Sequence, residues 1–438
     1  MSETFIGLSG IIVLVVSILA GVHIVLALGL VGTLGIFVLA GIKGAFSVLS
    51  TTYFDFTHSY HFSCIPMFVL MGAFAIAAGI GQDTFEAATK WIGRWRGGLA
   101  IGTIASCAAF GAATGTSVGT AALFSRLALP EMLKQGYDKA LASACVAIAG
   151  TLAMMIPPSA LMVVYAILTD QSIGALLIAG VIPGIVYAII LSLTTFIWVT
   201  KNPSIAPVVT RRFTLKEKIY SLRLTGPLVL CIISIIGGLY AGVFTPTEAG
   251  AAGAMMTFLL ALIKQKGLRG INLKFALLET VKTSTMVFLI ITSAIVFSKF
   301  MSLSGVVVLL GDTINAWQLN RYVVWAIIIC LYLLLGMILD CPSMLAVSLP
   351  ITLPIMTNLG FNPVWFGICV VLLGEIALIT PPVGVNCFVV AGAASDLVDL
   401  NDVFRGVLPY VIAGIVMLII LTIFPSLALW LPQTMGLD

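Results

Sequence analysis

The sequence predicts an all-α, polytopic membrane protein built as an inverted-topology repeat, with two re-entrant hairpins and two helices broken at Pro-Pro. An apolar composition, long uncharged runs and a self-similarity between the two halves carry that prediction. Of 438 residues, 61% are hydrophobic and 9% are charged. Soluble domains hold about 45–50% and about 25%, and the charge missing here is what a water-facing surface needs. Uncharged runs cover 5–42, 62–80, 97–125, 140–169, 171–200, 224–247, 249–263, 283–298, 322–339, 341–374, 376–395 and 406–437. Most approach or exceed the roughly 20 apolar residues that cross a bilayer as helix. None shows the polar–apolar alternation of a membrane barrel strand.

Other classes fall away on the same composition. A net charge of +4 without a long basic tract does not suit nucleic acid. The eight cysteines lie in or beside apolar stretches without a CxxC pair, and read as buried thiols rather than zinc ligands or disulfides. The opening MSETF lacks the basic segment of a signal peptide, so the first run is expected to stay in the protein.

The basic residues orient the runs, because cytoplasmic loops collect Lys and Arg. Segment 201–223 holds six basic residues against one acid, and 264–282 holds five against one. Lys90, Arg94 and Arg96 form a third cluster, Lys134 and Lys139 a weaker fourth. With all four inside, 140–169 crosses out, 171–200 returns, and the next two runs repeat the cycle. Segment 97–125 then begins and ends on the cytoplasmic side. It is too long for one span and short for two, and its centre, FGAATGTSVGTAA, is rich in Gly, Ser and Thr. That describes a hairpin turning near mid-membrane, where protein or water satisfies the irregular backbone. The alternative is a kinked helix pair reaching the far side.

At an offset of 224 residues the chain matches itself. PEMLKQGY (130–137) aligns with PIMTNLGF (354–361), and ACVAIAGTLAMMIPPSALMVVY (144–165) with ICVVLLGEIALITPPVGVNCFV (368–389). Pro157–Pro158 falls on Pro381–Pro382, and the tip at Thr116–Ser117 falls on Asp340–Cys341. Five crossings separate the copies, an odd number, so the second lies upside down. Inverted repeats with broken helices are the pattern of secondary transporters, with the site near mid-membrane at the repeat interface. Two prolines in succession remove two backbone donors and free the preceding carbonyls. Such carbonyls with nearby hydroxyls suit a hard cation such as sodium. Half-helix N-termini offer positive dipole ends to an anion.

These motifs resemble a known family. GTSVGTAALFSRLALPEMLKQGYDKALA followed by GTLAMMIPPSALMVVYAI, then LLGMILDCPSMLAVSLPITLPIM and GFNPVWFGICVVLLGEIALITPPVGVNCFVV, are similar to the two signatures of the large, DctM-like membrane subunit of TRAP (tripartite ATP-independent periplasmic) transporters. IPMFVLMG (65–72) and GVFTPTEAGAAGA (242–254) fit two further blocks, so the resemblance covers nearly the whole chain. It implies a bacterial inner-membrane permease of the ion-transporter superfamily, in which a transport domain slides as an elevator against a scaffold. It implies two partners besides the lipid bilayer: a separate small subunit of about four helices, and a periplasmic binding protein that delivers a small organic carboxylate. Sodium is the implied coupling ion, with no organic cofactor. Sialic acid and C4-dicarboxylates are both family substrates, and the overall resemblance leans to sialic acid without a residue that decides it.

On this basis the chain divides into scaffold helices (1–80), an interfacial arm (81–96), repeat-1 transport elements and a following span (97–200), a cytoplasmic amphipathic connector (201–223), further scaffold helices (224–303), a second arm (304–320), repeat-2 transport elements (321–395) and a C-terminal helix (396–438). Phe85, Trp91 and Trp95 among alternating charges make 82–96 an amphipathic arm, matched at the repeat offset by 306–320 with Trp317. Segment 209–222 reads as a cytoplasmic surface helix. A plain solvated linker is the alternative for all three.

The first sodium site is expected at Thr114, Thr116 and Ser117, closing on backbone around Gly150 and Pro157. The second is expected at Asp340 and Cys341 with Gly374, Thr380 and Pro381. Family tips more often carry Ser where Thr116 stands, which keeps the hydroxyl. Ser159, Tyr165, Ser343, Gly384 and Asn386 are the polar or open positions expected to face substrate. Arg126 either holds a substrate carboxylate bidentately or snorkels to the interface. Glu375, beside the second break, is either protonated or paired. Glu248 is expected near the outer interface, and His58 and His61 read as outer surface residues. A stand-alone ion-coupled carrier of the same superfamily, needing no binding protein, is the main alternative. A channel suits doubly broken inverted repeats less well than alternating access does. An intramembrane enzyme would need paired catalytic groups, such as Ser with His or two aspartates, and His23 is the only histidine in an apolar run and Asp340 the only clear mid-membrane aspartate.

Overall fold

The computed structural model describes residues 2–208 and 213–436, and its regular structure among them is helical throughout. In chain order the α-helices are α1 (Glu3–Leu19), α2 (Ile24–His58), α3 (Cys64–Ala77), α4 (Ile80–Ile92), α5 (Gly98–Thr114), α6 (Ser117–Lys134), α7 (Lys139–Met155), α8 (Ala160–Thr169), α9 (Ile173–Ala179), α10 (Val181–Lys201), α11 (Leu215–Tyr240), α12 (Pro246–Lys264), α13 (Leu273–Leu303), α14 (Val306–Ala316), α15 (Arg321–Gly336), α16 (Cys341–Asn358), α17 (Pro363–Ala377), α18 (Val385–Ala393), α19 (Leu400–Ile423) and α20 (Ser426–Thr434). Seven helical segments among the described residues are long and apolar enough to cross a membrane, or eight with the bent pair α7–α8 taken as one span.

The repeat reappears in the helix boundaries. Shifted by 224, α6 coincides with α16 at both ends, α7 starts where α17 starts, and α8 ends where α18 ends. The local causes repeat as well. Asp138 accepts from Ala140 N at 2.9 Å to cap α7, and Asn362, at the same repeat position, accepts from Val364 N at 2.8 Å to cap α17. Pro157–Pro158 and Pro381–Pro382 stop α7 and α17, and both bonds are cis. The axes of α7 and α8 diverge by 47° across the first break.

The helices pack as two groups. In one, α2 lies along α13, α3 along α12, and α11 beside α12. Small residues permit the close approach: a Cβ at Gly32 of α2 would lie 2.9 Å from Phe297 N of α13. In the other, α5, α6 and α7 pack together, α7 lies against α19, and α17 against α15 and α16. The arm α4 bridges the groups. Trp91 Nε1 donates to Lys218 O of α11 at 3.2 Å, and Lys264 of α12 pairs with Asp83.

Three segments differ from the sequence-based expectation. The run 5–42 is two helices with a turn at 20–23, and Lys43 lies inside α2, beside a kink at Gly41. The C-terminal run is α19 and α20, parted at Phe424–Pro425. Of the surface helix expected over 209–222, residues 209–212 lie outside the described residues, and from Leu215 the segment forms the first turns of α11. Glu248 closes a capping box at the start of α12, its carboxylate accepting from Thr245 N at 2.8 Å.

Gly406 of α19 tests the packing of the second group, since a Cβ there would lie 2.1 Å from the Ala140 carbonyl oxygen. Gly406→Ala is expected to cost about 1–3 kcal/mol or more through overpacking and to lower the Tm of the detergent-solubilised protein. Gly392→Ala, whose Cβ meets nothing within 4 Å, is expected to leave the Tm unchanged.

Candidate functional site

The first hairpin, α5–α6, turns through Gly115 and Thr116. Gly115 has φ +59°, and a Cβ there would lie 3.2 Å from the Pro158 carbonyl oxygen and 3.4 Å from Ala160 N. The left-handed conformation and the lack of room both call for glycine, and they set the tip directly on the first Pro-Pro break. Thr114 is buried, and its hydroxyl meets that of Thr120 at 3.2 Å. Thr116 is half-buried and extended at the head of α6. A Cβ at Gly150 of α7 would lie 3.0 Å from the Ser117 carbonyl oxygen, so α7 and the hairpin meet backbone to backbone. Pro157 and Ser159 are buried, and the Ser159 hydroxyl caps α8 by accepting from Met162 N at 3.5 Å.

The second hairpin, α15–α16, turns through 337–340, with Asp340 half-buried at the head of α16 and Cys341 buried behind it. A Cβ at Gly374 would lie 3.0 Å from Cys341 Sγ. Thr380 donates its hydroxyl proton to Ile376 O at 2.7 Å. Pro381 is exposed, whereas its repeat counterpart Pro157 is buried. Gly384, at φ +58°, turns the chain into α18.

One side chain joins the copies. Asn386, fully buried at the start of α18, donates through Nδ2 to Ser117 Oγ at 2.8 Å and to Ala147 O at 3.2 Å. The second break is thereby fastened to the tip of the first hairpin and to α7. Asn386 Oδ1 and both carboxyl oxygens of the fully buried Glu375 have no hydrogen-bond partner among the described residues, nor has Ser343 Oγ, which lies within electrostatic reach of Asp340 at the second tip. Glu375 lies on α17 within electrostatic reach of the Ser117 hydroxyl, Cys341 and Tyr187. Uncompensated acceptors buried this way are costly, and these, all from the second repeat with Asn386 and Glu375 beside Ser117 of the first, are chemistry suited to a desolvated cation.

Two expected substrate contacts stand apart from this cluster. Tyr165 is fully buried and donates through Oη to Pro363 O at 2.7 Å, its ring filling the space a Cβ on Gly367 would take. It ties α8 to α17. Arg126 is exposed on α6, roughly 13 Å along the helix from Ser117 at 1.5 Å per residue. Gly115, a residue the sequence reading passed over, sits at the contact, and its signal was the TGT step between two helical runs.

The comparisons with known proteins decide the family. The model of the DctM component of tripartite ATP-independent periplasmic transporters matches residues 11–427. The chain belongs to that family. It is 33% identical to the C4-dicarboxylate TRAP transporter large permease protein DctM of Pseudomonas aeruginosa, over 94% of this chain and 95% of that one. It is 29% identical to the sialic acid TRAP transporter large permease protein SiaM of Vibrio cholerae, over 84% and 85%. Its fold is similar to that of the Alcanivorax borkumensis YdaH transporter, with a TM-score of 0.62 at 13% identity over 89% and 90% of the chains. As a DctM-family protein with these apolar helices it is a multi-pass protein of the bacterial inner membrane.

The Asn386 contact gives a direct test of the site. Asn386→Leu leaves Ser117 and Ala147 without that donor and is expected to cost about 1–3 kcal/mol. It is also expected to abolish transport, whereas Arg126→Gln should keep at least half the wild-type rate. Uptake of labelled substrate and Tm in detergent, measured on the same preparations, check both.

Proposed function

We propose that this chain is the large permease subunit of a TRAP transporter that imports a small organic anion on a sodium gradient. Its partners are a separate small membrane subunit and a periplasmic binding protein that delivers the anion. The observation that carries the reading is the Ser117–Asn386 bond. It joins the tip of one repeat to the break of the other, so tips and breaks share one polar cluster. Sodium as the coupling ion is supported by the buried acceptors without partners, Ser343 Oγ, Asn386 Oδ1 and the Glu375 carboxylate, with carbonyls freed at the two Pro-Pro steps. Thr114, Thr116 and Ser117 with Gly150 and Pro157 hold one ion. Asp340, Cys341, Gly374, Thr380 and Pro381 hold the other. Substrate lies between them, against Ser159, Ser343, Gly384 and Asn386.

Both hairpins turn within the membrane, and the second helical group carries them as an elevator against the first. The related permeases are named for a C4-dicarboxylate and for sialic acid at 33% and 29% identity. Both substrates are carboxylates, and similarity alone does not single out the sialic acid branch.

Proteoliposomes holding this chain with its small subunit provide the test. Labelled succinate and sialic acid are offered with and without an inward sodium gradient and the purified binding protein. Uptake is expected only with all components together, and to collapse when the sodium gradient is dissipated. Uptake by this chain alone would replace the reading with a stand-alone carrier, and uptake indifferent to sodium would remove the coupling ion.

A further inference from the structure

A cavity of about 1170 Å³ lies between the two helical groups, away from the Ser117–Asn386 cluster. The end of α2, the end of α13 and the loop after α11 wall it on one side, and the α8–α9 segment and α16 on the other. The basic loops put all of these ends on the outer face, because 90–96, 201–223 and 264–282 are cytoplasmic and one crossing separates each from the cavity. The cavity is therefore an outer vestibule.

Its wall carries one basic side chain within a span. Lys299 lies on α13, four residues before the helix ends, and is half-buried. Its ammonium donates to Thr52 Oγ1 of α2 at 3.1 Å and takes part in no ion pair among the described residues. An ammonium has three donors, so Thr52 leaves two for whatever enters. The carboxylates and the imidazole of the wall are exposed: Asp55, one turn further out on α2, Asp170 at the end of α8, and His61. Neither carboxylate lies within ion-pair distance of Lys299. A charge within a span and without a counter-charge is expensive and generally functional.

We propose that Lys299 is the entry subsite of the transport pathway, where an acid group of the incoming organic anion is held before it reaches the hairpin tips. The proposal rests on the transporter reading above and adds a residue on the opposite helical group, outside the polar cluster that the two repeats share. The anion's acid group supplies the negative charge that Lys299 lacks. Asp55 and Asp170, further out, discourage an anion from resting at the rim.

The test uses the full complex, with binding protein, and the variant Lys299→Cys. A membrane-impermeant thiol reagent added outside is expected to label the introduced thiol, with the wild type as background; failure to label overturns the vestibule. In uptake of labelled succinate and sialic acid, Lys299→Cys is expected to raise KM about tenfold or more while largely keeping kcat, the size of a lost hydrogen bond to a charged group. Attaching a positively charged aminoethyl group to the introduced thiol should restore KM, and attaching a negative sulfonatoethyl group should raise it further. Thr52→Val removes only the strut from α2 and is expected to leave KM near wild type. If Thr52→Val matches Lys299→Cys, or the two attached charges act alike, Lys299 is a packing residue and the proposal falls. An unchanged KM in Lys299→Cys overturns it alone, while a wild-type complex that imports neither anion overturns the transporter reading and the proposal together.

Discussion

Within hydrocarbon, every backbone N–H and C=O must find a partner in the protein, and a helix broken mid-span violates that requirement unless something repairs it. The architecture here follows from two such violations, at Pro157–Pro158 and Pro381–Pro382. Part of the repair is local. Ile156 N still reaches Leu152 O at 2.9 Å, and Asn386 N reaches back across the second break to Leu378 O at 3.0 Å. The rest comes from outside the broken helix. The first hairpin turns at Gly115 so that its backbone can lie against Pro158 and Ala160, and the Asn386 side chain closes on Ser117 and Ala147. Covering the first break requires its hairpin, and the Asn386 contact fastens that hairpin to the second repeat.

Two copies of one plan do not make two equal sites. Thr116–Ser117 at the first tip becomes Asp340–Cys341 at the second, replacing two hydroxyls with a carboxylate and a thiol. The first break is sealed: Pro157 and Pro158 are buried beneath the hairpin. At the second, Pro381 and Pro382 are exposed and Phe388 is 49% exposed. Tyr165 of the first copy has Val389 as its counterpart, and its ring and hydroxyl lock α8 onto α17. The first break is therefore packed into the core, and the second is the one with room beside it.

The sequence carried the fold at this level because the residues that break helices are few and unambiguous. Pro-Pro, the helix-ending Gly136 and Gly360, and the capping Asp138 and Asn362 recur at one offset, and α6 and α16 begin and end on it. What stayed hidden was orientation. Helices that are apolar all round show no face, so nothing announced that Tyr165 points into a helix contact or decided between the two readings of Arg126. Lys43 looked like the end of a span because a charge normally is one, and the helix does break beside it, at the non-helical Gly41, before a second helical stretch carries Lys43 on to His58. The bond between Asn386 and Ser117 spans 269 positions, and no local pattern encodes it.

Glu375 brings these strands together. It follows Gly374, the position where α17 comes nearest Cys341 of the second hairpin, and it lies within reach of Ser117 of the first. A carboxyl group fully enclosed in a membrane protein core and given no cation by the surrounding side chains is a poor structural element, since an apolar residue of similar size would cost less. Its two oxygens join Asn386 Oδ1 and Ser343 Oγ in a set of acceptors drawn from α16, α17 and α18. Such a set is left without donors from the surrounding side chains. On the reading proposed above, a coupling ion completes it, and the cost of burying the empty set would then tie ion binding to movement of that core.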